Sequence, residues 1–600
     1  VTRSARRFRF GATAVVGLLG TAALIFVTQL PASAASTVAV NGGTTHQTVD
    51  GFGISEAFGQ ANAIRNVGNT TIQRQMLDML FSPTTGAGFS ILRNLIPSDA
   101  AHTMLPTAPA SPSATPTYVW NGNDDATDWG QLWLARQAKT YGVTTLYNDA
   151  WSAPGFMKTN NSETNGGMLC GTPGATCASG DWRQAYANYL TQHTRNWASV
   201  GLTPTYLGFA NEPSFAPGYS SMLVNPAQAT DVVKVLGPTL TAARLSTKVV
   251  CCDPLGWNLL PGYVSAIGAD ATASANLGAY TSHGYSNPPT STIATGGKPV
   301  WQTEWSIGQS TWNNAWDDNS ESSGFTWAQH LHNGMTGANL NAFLYWWGVS
   351  NTTSSNGSLV QLSGTTLNVA KRYYAFVNYS RFIRPGAVRI GATTGDSNLR
   401  VSAYRNPDSS TAIVVLNAAT SATQTTYTLA NTGLSGGTVA PYLTNASNST
   451  AAQPTISLTG GSFTATVPAR SLVTYRITSA PNTSPTASPS TTSTTGPPTG
   501  TAACSATYRI TNSWQDGFQA DVTVTNSSPT PLNGWTVTWP LPGGQTISQV
   551  WNGTLTTTAS TVTVTNASWN GAIAAGASTS FGLIGAGPAG AAPTPTCTSP

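Results

Sequence analysis

Between residues 49 and 348 the chain carries eight short apolar runs, at 51–55, 90–95, 144–148, 206–210, 248–252, 278–282, 299–303 and 342–346. A continuous apolar run bounded by polar residues reads as a strand buried on both faces, the mark of a parallel sheet. Most gaps between the runs can hold a helix, for example 72–81, 128–141, 181–200 and 230–245. Strand and helix alternating eight times predict a (β/α)8 barrel over residues 49–384.

The remainder divides by character. Residues 385–478 hold short alternating runs (399–404, 412–416, 471–476) broken by turn residues, which predict an antiparallel β-sandwich side domain. Residues 35–48 look β-like and are expected to join it. Residues 479–502 are Ser, Thr, Pro and Gly without a charge, so they cannot form a core and read as a linker. Residues 503–600 predict a separate C-terminal all-β sandwich module. The fold class is therefore multidomain: a TIM barrel with an attached side domain, plus a tethered module.

Residues 1–34 read as a secretory signal peptide. Arg3, Arg6, Arg7 and Arg9 precede an apolar stretch over about 11–27 and the small-residue site Ala32-Ser33-Ala34. A secreted, extracellular protein is expected. Without those four arginines, 22 basic residues face 22 acidic ones. That balance argues against nucleic acid and against an electrostatic membrane partner. The 19 tryptophans among many uncharged polar residues suit a neutral ligand, and sugars are the obvious class.

Six cysteines fit export. Cys504 and Cys597 bracket the last domain and are expected to staple it. Cys170 and Cys177 can close a short loop. Cys251 and Cys252 are adjacent, and either a vicinal disulfide or two buried thiols fits. His330 and His332 lie two apart in a helical stretch and cannot share a face. No spacing resembles a zinc site, a phosphate loop, a nucleotide fingerprint or a serine triad. Neither metal nor cofactor is expected, and the chain is read as a monomer.

In a barrel, function belongs at the carboxyl ends of the strands. Glu212 follows the fourth run in Phe209-Ala210-Asn211-Glu212-Pro213. Glu304 ends the seventh in Val300-Trp301-Gln302-Thr303-Glu304. An acid after a buried apolar run carries a desolvation cost that needs a reason. Singly, an N-cap or a structural ion pair would explain each. Together, on strands four and seven, they suit glycosidic bond cleavage. That chemistry needs one protonated and one ionised carboxyl, about 5–5.5 Å apart for net retention. Repulsion and burial are expected to keep the acid protonated near neutrality.

These residues carry a family resemblance. Asp50-Gly51-Phe52-Gly53-Ile54-Ser55, Trp151-Ser152-Ala153-Pro154, Ala210-Asn211-Glu212-Pro213, Gln302-Thr303-Glu304-Trp305 and the segment 379–386 resemble glycoside hydrolase family 30, over about residues 37–477. The resemblance implies that the side domain packs on the barrel and uses both chain ends. It implies Glu212 as acid/base, Glu304 as nucleophile, Asn211 on the sugar 2-hydroxyl and Arg93 steadying the nucleophile. Tyr285 is a candidate partner for Glu304, with His283 beside it. Trp151 and Trp347, at the ends of strands three and eight, are candidates to stack on sugar rings. Glu56 is a third acid near the mouth, to bind a hydroxyl or pair with Arg65.

The segment 53–59 looks most like the xylanase branches, so the expected substrate is plant-wall (glucurono)xylan, cut by an endo-1,4-β-xylanase or glucuronoxylanase. Arg65 is the only guess for a reader of glucuronic acid branches. Other branches cut β-1,6-glucan, β-1,6-galactan or glucosylceramide and remain alternatives. A non-catalytic wall-binding protein on a degenerate barrel is the alternative of a different class. Residues 504–597 resemble carbohydrate-binding module family 2, which implies that Trp514, Trp551 and Trp569 form a flat face on cellulose. At least one of Trp535 and Trp539 is expected in the core.

Overall fold

The computed structural model describes residues 36–120, 128–308, 311–352, 355–479, 503–514, 517–541, 544–558, 561–567, 570–588, 590 and 592–599. The segment read as a signal peptide (1–34) and residues 480–502 of the expected linker lie outside these residues; residue 479 ends a strand.

Strand β1 (Ser36–Val49) precedes eight strands that close a parallel barrel. They are β2 (Gly51–Ser55), β3 (Ile91–Ile96), β4 (Thr145–Ala150), β5 (Tyr206–Gly208), β6 (Lys248–Cys252), β7 (Leu277–His283), β8 (Val300–Glu304) and β9 (Ala342–Ser350). Each pairs with the next, and β9 pairs with both β8 and β2. A hairpin not foreseen from the runs, β10 (Ser358–Ser363) and β11 (Thr366–Val369), extends β9 outward.

Helices Thr70–Phe81, Gln131–Thr140, Arg183–Ser199 and Pro226–Ala242 occupy the gaps. Their starts have local causes. Asn69 accepts from the N–H groups of Thr71 and Ile72. Asn225 and Gln228 form a reciprocal capping box ahead of Pro226, whose missing N–H costs nothing at that position.

Alternate residues of a strand face the barrel interior, so each strand contributes in steps of two. The lowest layer is apolar: Ile91, Trp301, Ala342 and Leu344 pack together. Tyr147, Val250 and Ala279 form the next cluster. One step higher, the strands carry Arg93, Asp149, Thr281 and Thr303, all buried. The barrel axis thus runs from an apolar floor to a charged mouth.

The side domain is a sheet of ten strands. Here β1 pairs parallel with Thr423–Ala430 and antiparallel with Ala387–Thr394, so segments before and after the barrel build it. Strand Gly436–Thr444 also pairs with Ser471–Ser479, closing nine of the strands on themselves. This domain is fastened to the barrel. Arg470 pairs with Asp317 at 2.7 Å, and Asn378 Nδ2 donates to Thr474 Oγ1 at 3.0 Å.

The C-terminal module is a unit of its own, with two four-stranded antiparallel sheets. Trp535 and Trp539 are both core residues, stacked near Phe581. Cys504 and Cys597 are disulfide-bonded, as are Cys170 with Cys177 and Cys251 with Cys252. Trp551 is half-buried at the end of strand Thr546–Trp551. Trp569 and the side chain of Trp514 lie outside the described residues. Among the described residues, no helix is long and apolar enough to cross a membrane.

Candidate active site

The carboxyl ends of the barrel strands surround a cleft of about 740 Å3, with Glu212 and Glu304 both in its wall. One carboxylate oxygen of each, together with a His283 ring nitrogen, lies within 4.8 Å of the other two. This trio is the only metal-like cluster among the described residues, but its oxygens are already partnered from within the protein.

The two acids are delivered differently. Glu304 is the last residue of β8. The β7–β8 register slips between Ser282 and His283, so that Ser282 faces Gln302 and His283 faces Glu304. This irregularity lets consecutive side chains reach inward: Thr303 bonds Asp253 while Glu304 reaches the cleft. Glu212 lies beyond β5 at φ 48°, a left-handed conformation costly for a residue with a Cβ. The turn is tied on both sides. Its N–H donates to the Asp253 carbonyl at 2.9 Å, and its own carbonyl accepts from Phe215 N–H at 2.8 Å.

Arg93 is fully buried and organises the floor of the site. Its Nη1 donates to Glu304 Oε2. Its Nη2 reaches Asp149 Oδ2 (2.8 Å), Asn211 Oδ1 (2.6 Å) and Asp253 Oδ2 (3.0 Å). A buried guanidinium is tolerable because three acids surround it. Burial and the neighbouring Asp253 carboxylate push Asp149 well above the usual carboxylate range. Burial opposes ionisation of Asp253 too, but Arg93 and His283 outweigh it and hold that carboxyl low. The two carboxyls are thus pushed in opposite directions, Asp149 up and Asp253 down. Gly208 makes room for this arrangement, since a Cβ there would lie 2.0 Å from Asp149 Oδ1.

Tyr285 Oη donates to Glu304 Oε1 at 2.8 Å. Burial raises the Glu304 pKa, while His283 and Arg93 pull it back toward ionisation. His283 Nδ1 lies 3.2 Å from Glu212 Oε1, and its Nε2 lies 3.9 Å from Glu304 Oε2. Burial disfavours the imidazolium, but the surrounding carboxylates prevail and raise its pKa. Tyr219 Oη donates to Glu212 Oε2 at 3.2 Å.

The structure therefore brings Arg93, Asn211, Glu212, His283, Tyr285 and Glu304 into one network. Two sequence expectations change. Trp151 is 2% exposed, and the Arg93 guanidinium covers its ring at 4.4 Å from the centroid. Its face is occupied by the protein, so it floors the cleft and does not offer a stacking platform. Glu56 is buried and accepts from Val349 N–H at 2.8 Å. It pairs with the β9 backbone, not with Arg65, and Arg65 does not line the cleft.

Trp347 does line the cleft, and so does Trp346, which the sequence reading passed over. Neighbouring strand residues normally face opposite sides. Here Ile54 faces Tyr345 and Ser55 faces Trp347, and this slip lets both indoles turn to the cleft, stacked 5.0 Å apart. Asp149, Asp253 and Tyr219 were also missed. The two aspartates carried a usable signal, an acid within or just after a buried run.

Comparisons with known proteins agree with this architecture. Residues 35–276 match O-Glycosyl hydrolase family 30, residues 386–475 the Glycosyl hydrolase family 30 beta sandwich domain, and residues 504–599 the Cellulose binding domain. The chain is similar to the catalytic domain of GH30 xylanase C from Talaromyces cellulolyticus, at 41% identity and a TM-score of 0.69, covering 74% of this chain and 100% of that one. It is 26% identical over 300 residues to Glucuronoxylanase XynC of Bacillus subtilis, covering 48% of this chain and 65% of the other. Its module is 60% identical over 85 residues to part of Endoglucanase A of Thermobispora bispora, covering 14% of this chain and 19% of that protein. The chain spans only 8% to 19% of four curated relatives that share the module. The chain belongs to glycoside hydrolase family 30, with that family's β-sandwich domain and a C-terminal cellulose-binding domain.

Proposed function

We propose that the protein is a secreted, retaining endo-1,4-β-xylanase acting on plant-wall xylan or glucuronoxylan, anchored to cellulose through its C-terminal domain. The observation that carries the mechanism is the approach of Glu212 and Glu304, with a pair of oxygens within 4.8 Å across an aromatic cleft. That closeness supports direct attack by one carboxylate on the anomeric carbon, as in retaining enzymes.

Glu304 is the nucleophile. Arg93 and Tyr285 fix its two oxygens, and Arg93 with His283 favours the ionised form that burial opposes. In the first step a Glu304 oxygen forms an ester with the anomeric carbon. The glycosidic C–O bond breaks as Glu212 gives its proton to the leaving oxygen. In the second step Glu212, now ionised, takes a proton from water. The water oxygen bonds to the anomeric carbon, the ester breaks, and Glu304 is released as a carboxylate. Two inversions give net retention. Tyr219 and His283 orient Glu212 through its two oxygens. Trp346 and Trp347 supply apolar faces for the sugar rings.

The xylan assignment is supported by the similarity to the Talaromyces xylanase and the Bacillus glucuronoxylanase. Extracellular action is supported by the three disulfides and the cellulose-binding domain. The test is product analysis on glucuronoxylan with linear β-1,6-glucan in parallel and Glu304→Gln as blank. Xylo-oligosaccharides with initial retention of anomeric configuration, absent from the blank, are expected. Release only from the β-1,6-glucan would overturn the substrate assignment and leave the mechanism standing.

A further inference from the structure

One stretch of β9 departs from regular pairing where Trp346 and Trp347 both face the cleft. Their N–H groups donate in different directions, to the carbonyls of Trp305 after β8 (3.2 Å) and of Gly357 before β10 (3.1 Å). Beyond them β9 runs on to Ser350, but β2 has already ended at Ser55, opposite Trp347. The other side of this last part of β9 is paired with β10. An N–H on the β2 side therefore has no strand to meet, and a buried one needs a partner.

Two side chains of the turn after β2 stand in for the missing strand. Glu56 Oε1 accepts from Val349 N–H at 2.8 Å, and Gln60 Oε1 accepts from Asn351 N–H at 3.2 Å. Both side chains are buried, and neither lines the cleft. Gly348 lets Glu56 approach, since a Cβ there would lie 2.6 Å from Glu56 Oε1. Burial pushes the Glu56 carboxyl well above the usual carboxylate range, against the pull of the Val349 and Gly348 N–H groups. It thus acts as an uncharged acceptor. Its Oε2 has no hydrogen-bond partner among the described residues, so the bonding it offers goes to the β9 backbone. The same turn carries Phe58, whose ring centroid lies 6.1 Å from that of Trp346.

We propose that Glu56 is a positioning residue for the Trp346–Trp347 pair. It fixes the end of β9 so that the two indoles stand together in the cleft, and it acts on substrate binding only through them. The inference rests on the reading that these rings meet a polysaccharide, and it goes beyond that reading by assigning the acid that keeps them in place. An uncharged acceptor has a close substitute in glutamine, whereas leucine supplies bulk and no acceptor.

The test compares full-length wild type, Glu56→Gln, Glu56→Leu, Trp346→Ala and the double variant Glu56→Leu/Trp346→Ala on long linear xylo-oligosaccharides. Circular dichroism reads the ring pair directly. Indoles 5.0 Å apart at 24° couple their transitions, and the difference between wild type and Trp346→Ala gives the signature. Glu56→Leu is expected to lose most of that signature and to raise KM roughly three- to tenfold, with kcat within about twofold. Glu56→Gln should keep both near wild type, and Glu56→Leu should add little once Trp346 is gone. An intact signature and KM in Glu56→Leu, a loss confined to kcat, no rescue by glutamine, or a full further loss in the double variant would overturn the proposal. Should Glu56→Leu not fold, the unbranched Glu56→Met takes its place with the same expectations. A wild type inactive on xylan, or a Trp346→Ala variant with unchanged KM, overturns the substrate reading instead. The dichroic signature and its rescue by glutamine then decide the role of Glu56 by themselves.

Discussion

The ends of strands four and seven each deliver one glutamate to the cleft, and they do so by opposite means. Glu304 belongs to the hydrogen-bonded ladder of β8 and is gripped by a buried arginine and a tyrosine. Glu212 sits past its strand on a left-handed turn, and its oxygens meet His283 and Tyr219. A nucleophile must hold one charge state and one position, whereas an acid/base must give up a proton and regain it. The strand-held Glu304 and the turn-held Glu212 fit the duties proposed for them.

The largest break in this comparison comes from removing each carboxylate in turn. Glu304→Gln is expected to lower kcat on every substrate by on the order of 10^4 or more, because no other group can form the ester. Glu212→Gln should cost about 10^2 to 10^4 on natural linkages. With an activated aryl leaving group, which needs no protonation, bond cleavage in that variant should recover and ester hydrolysis become limiting. Pre-steady-state release of the aryl alcohol distinguishes the two variants; equal losses on both substrates would dissolve the difference in roles.

Arg93 sharpens the Glu304 side. Arg93→Ala leaves buried acids without their counter-ion and should cost about 3–5 kcal/mol in chemical denaturation. The milder Arg93→Lys tests electrostatics. Arg93 lowers the Glu304 pKa against burial, so weakening its grip raises that pKa further. The nucleophile then stays protonated to higher pH, and the acidic limb of kcat/KM moves upward. A limb that stays put or moves downward would remove Arg93 from control of Glu304.

Tyr219 tests the Glu212 side. Tyr219→Phe keeps the ring and deletes one hydrogen bond to Glu212. Because that bond is partly exposed, the loss should be roughly 0.5–1.5 kcal/mol, mostly in kcat. The smallest effect on catalysis is expected from Trp551→Ala in the cellulose-binding domain. It should weaken retention on cellulose and leave kcat/KM on soluble oligosaccharides unchanged.

The barrel was legible because buried parallel strands leave continuous apolar runs, and each of the eight observed strands overlaps one such run. Glu212 and Glu304 were visible because a charge following such a run is costly and therefore conspicuous. Asp149 and Asp253 obey the same rule, yet they escaped notice because nothing local says that Arg93 needs them. Trp346 was hidden by the expectation of strict alternation, which a register slip against β2 suspends. Tyr219 sits on a loop, where no periodicity marks a side chain as facing the cleft.

By itself the sequence determined the succession of strands and helices, the tethered module, the disulfide-competent cysteines and the two carboxylates at strand ends. These follow from local patterning and composition. Only the tertiary structure decided which charges neutralise one another and which tryptophans face the cleft. Arg93 and Glu304 are 211 residues apart in the chain, and Tyr147 lies 106 residues from Asp253, to which it donates a hydrogen bond. Such pairings depend on distance and dielectric inside the closed barrel, and neither exists until the eight strands have met.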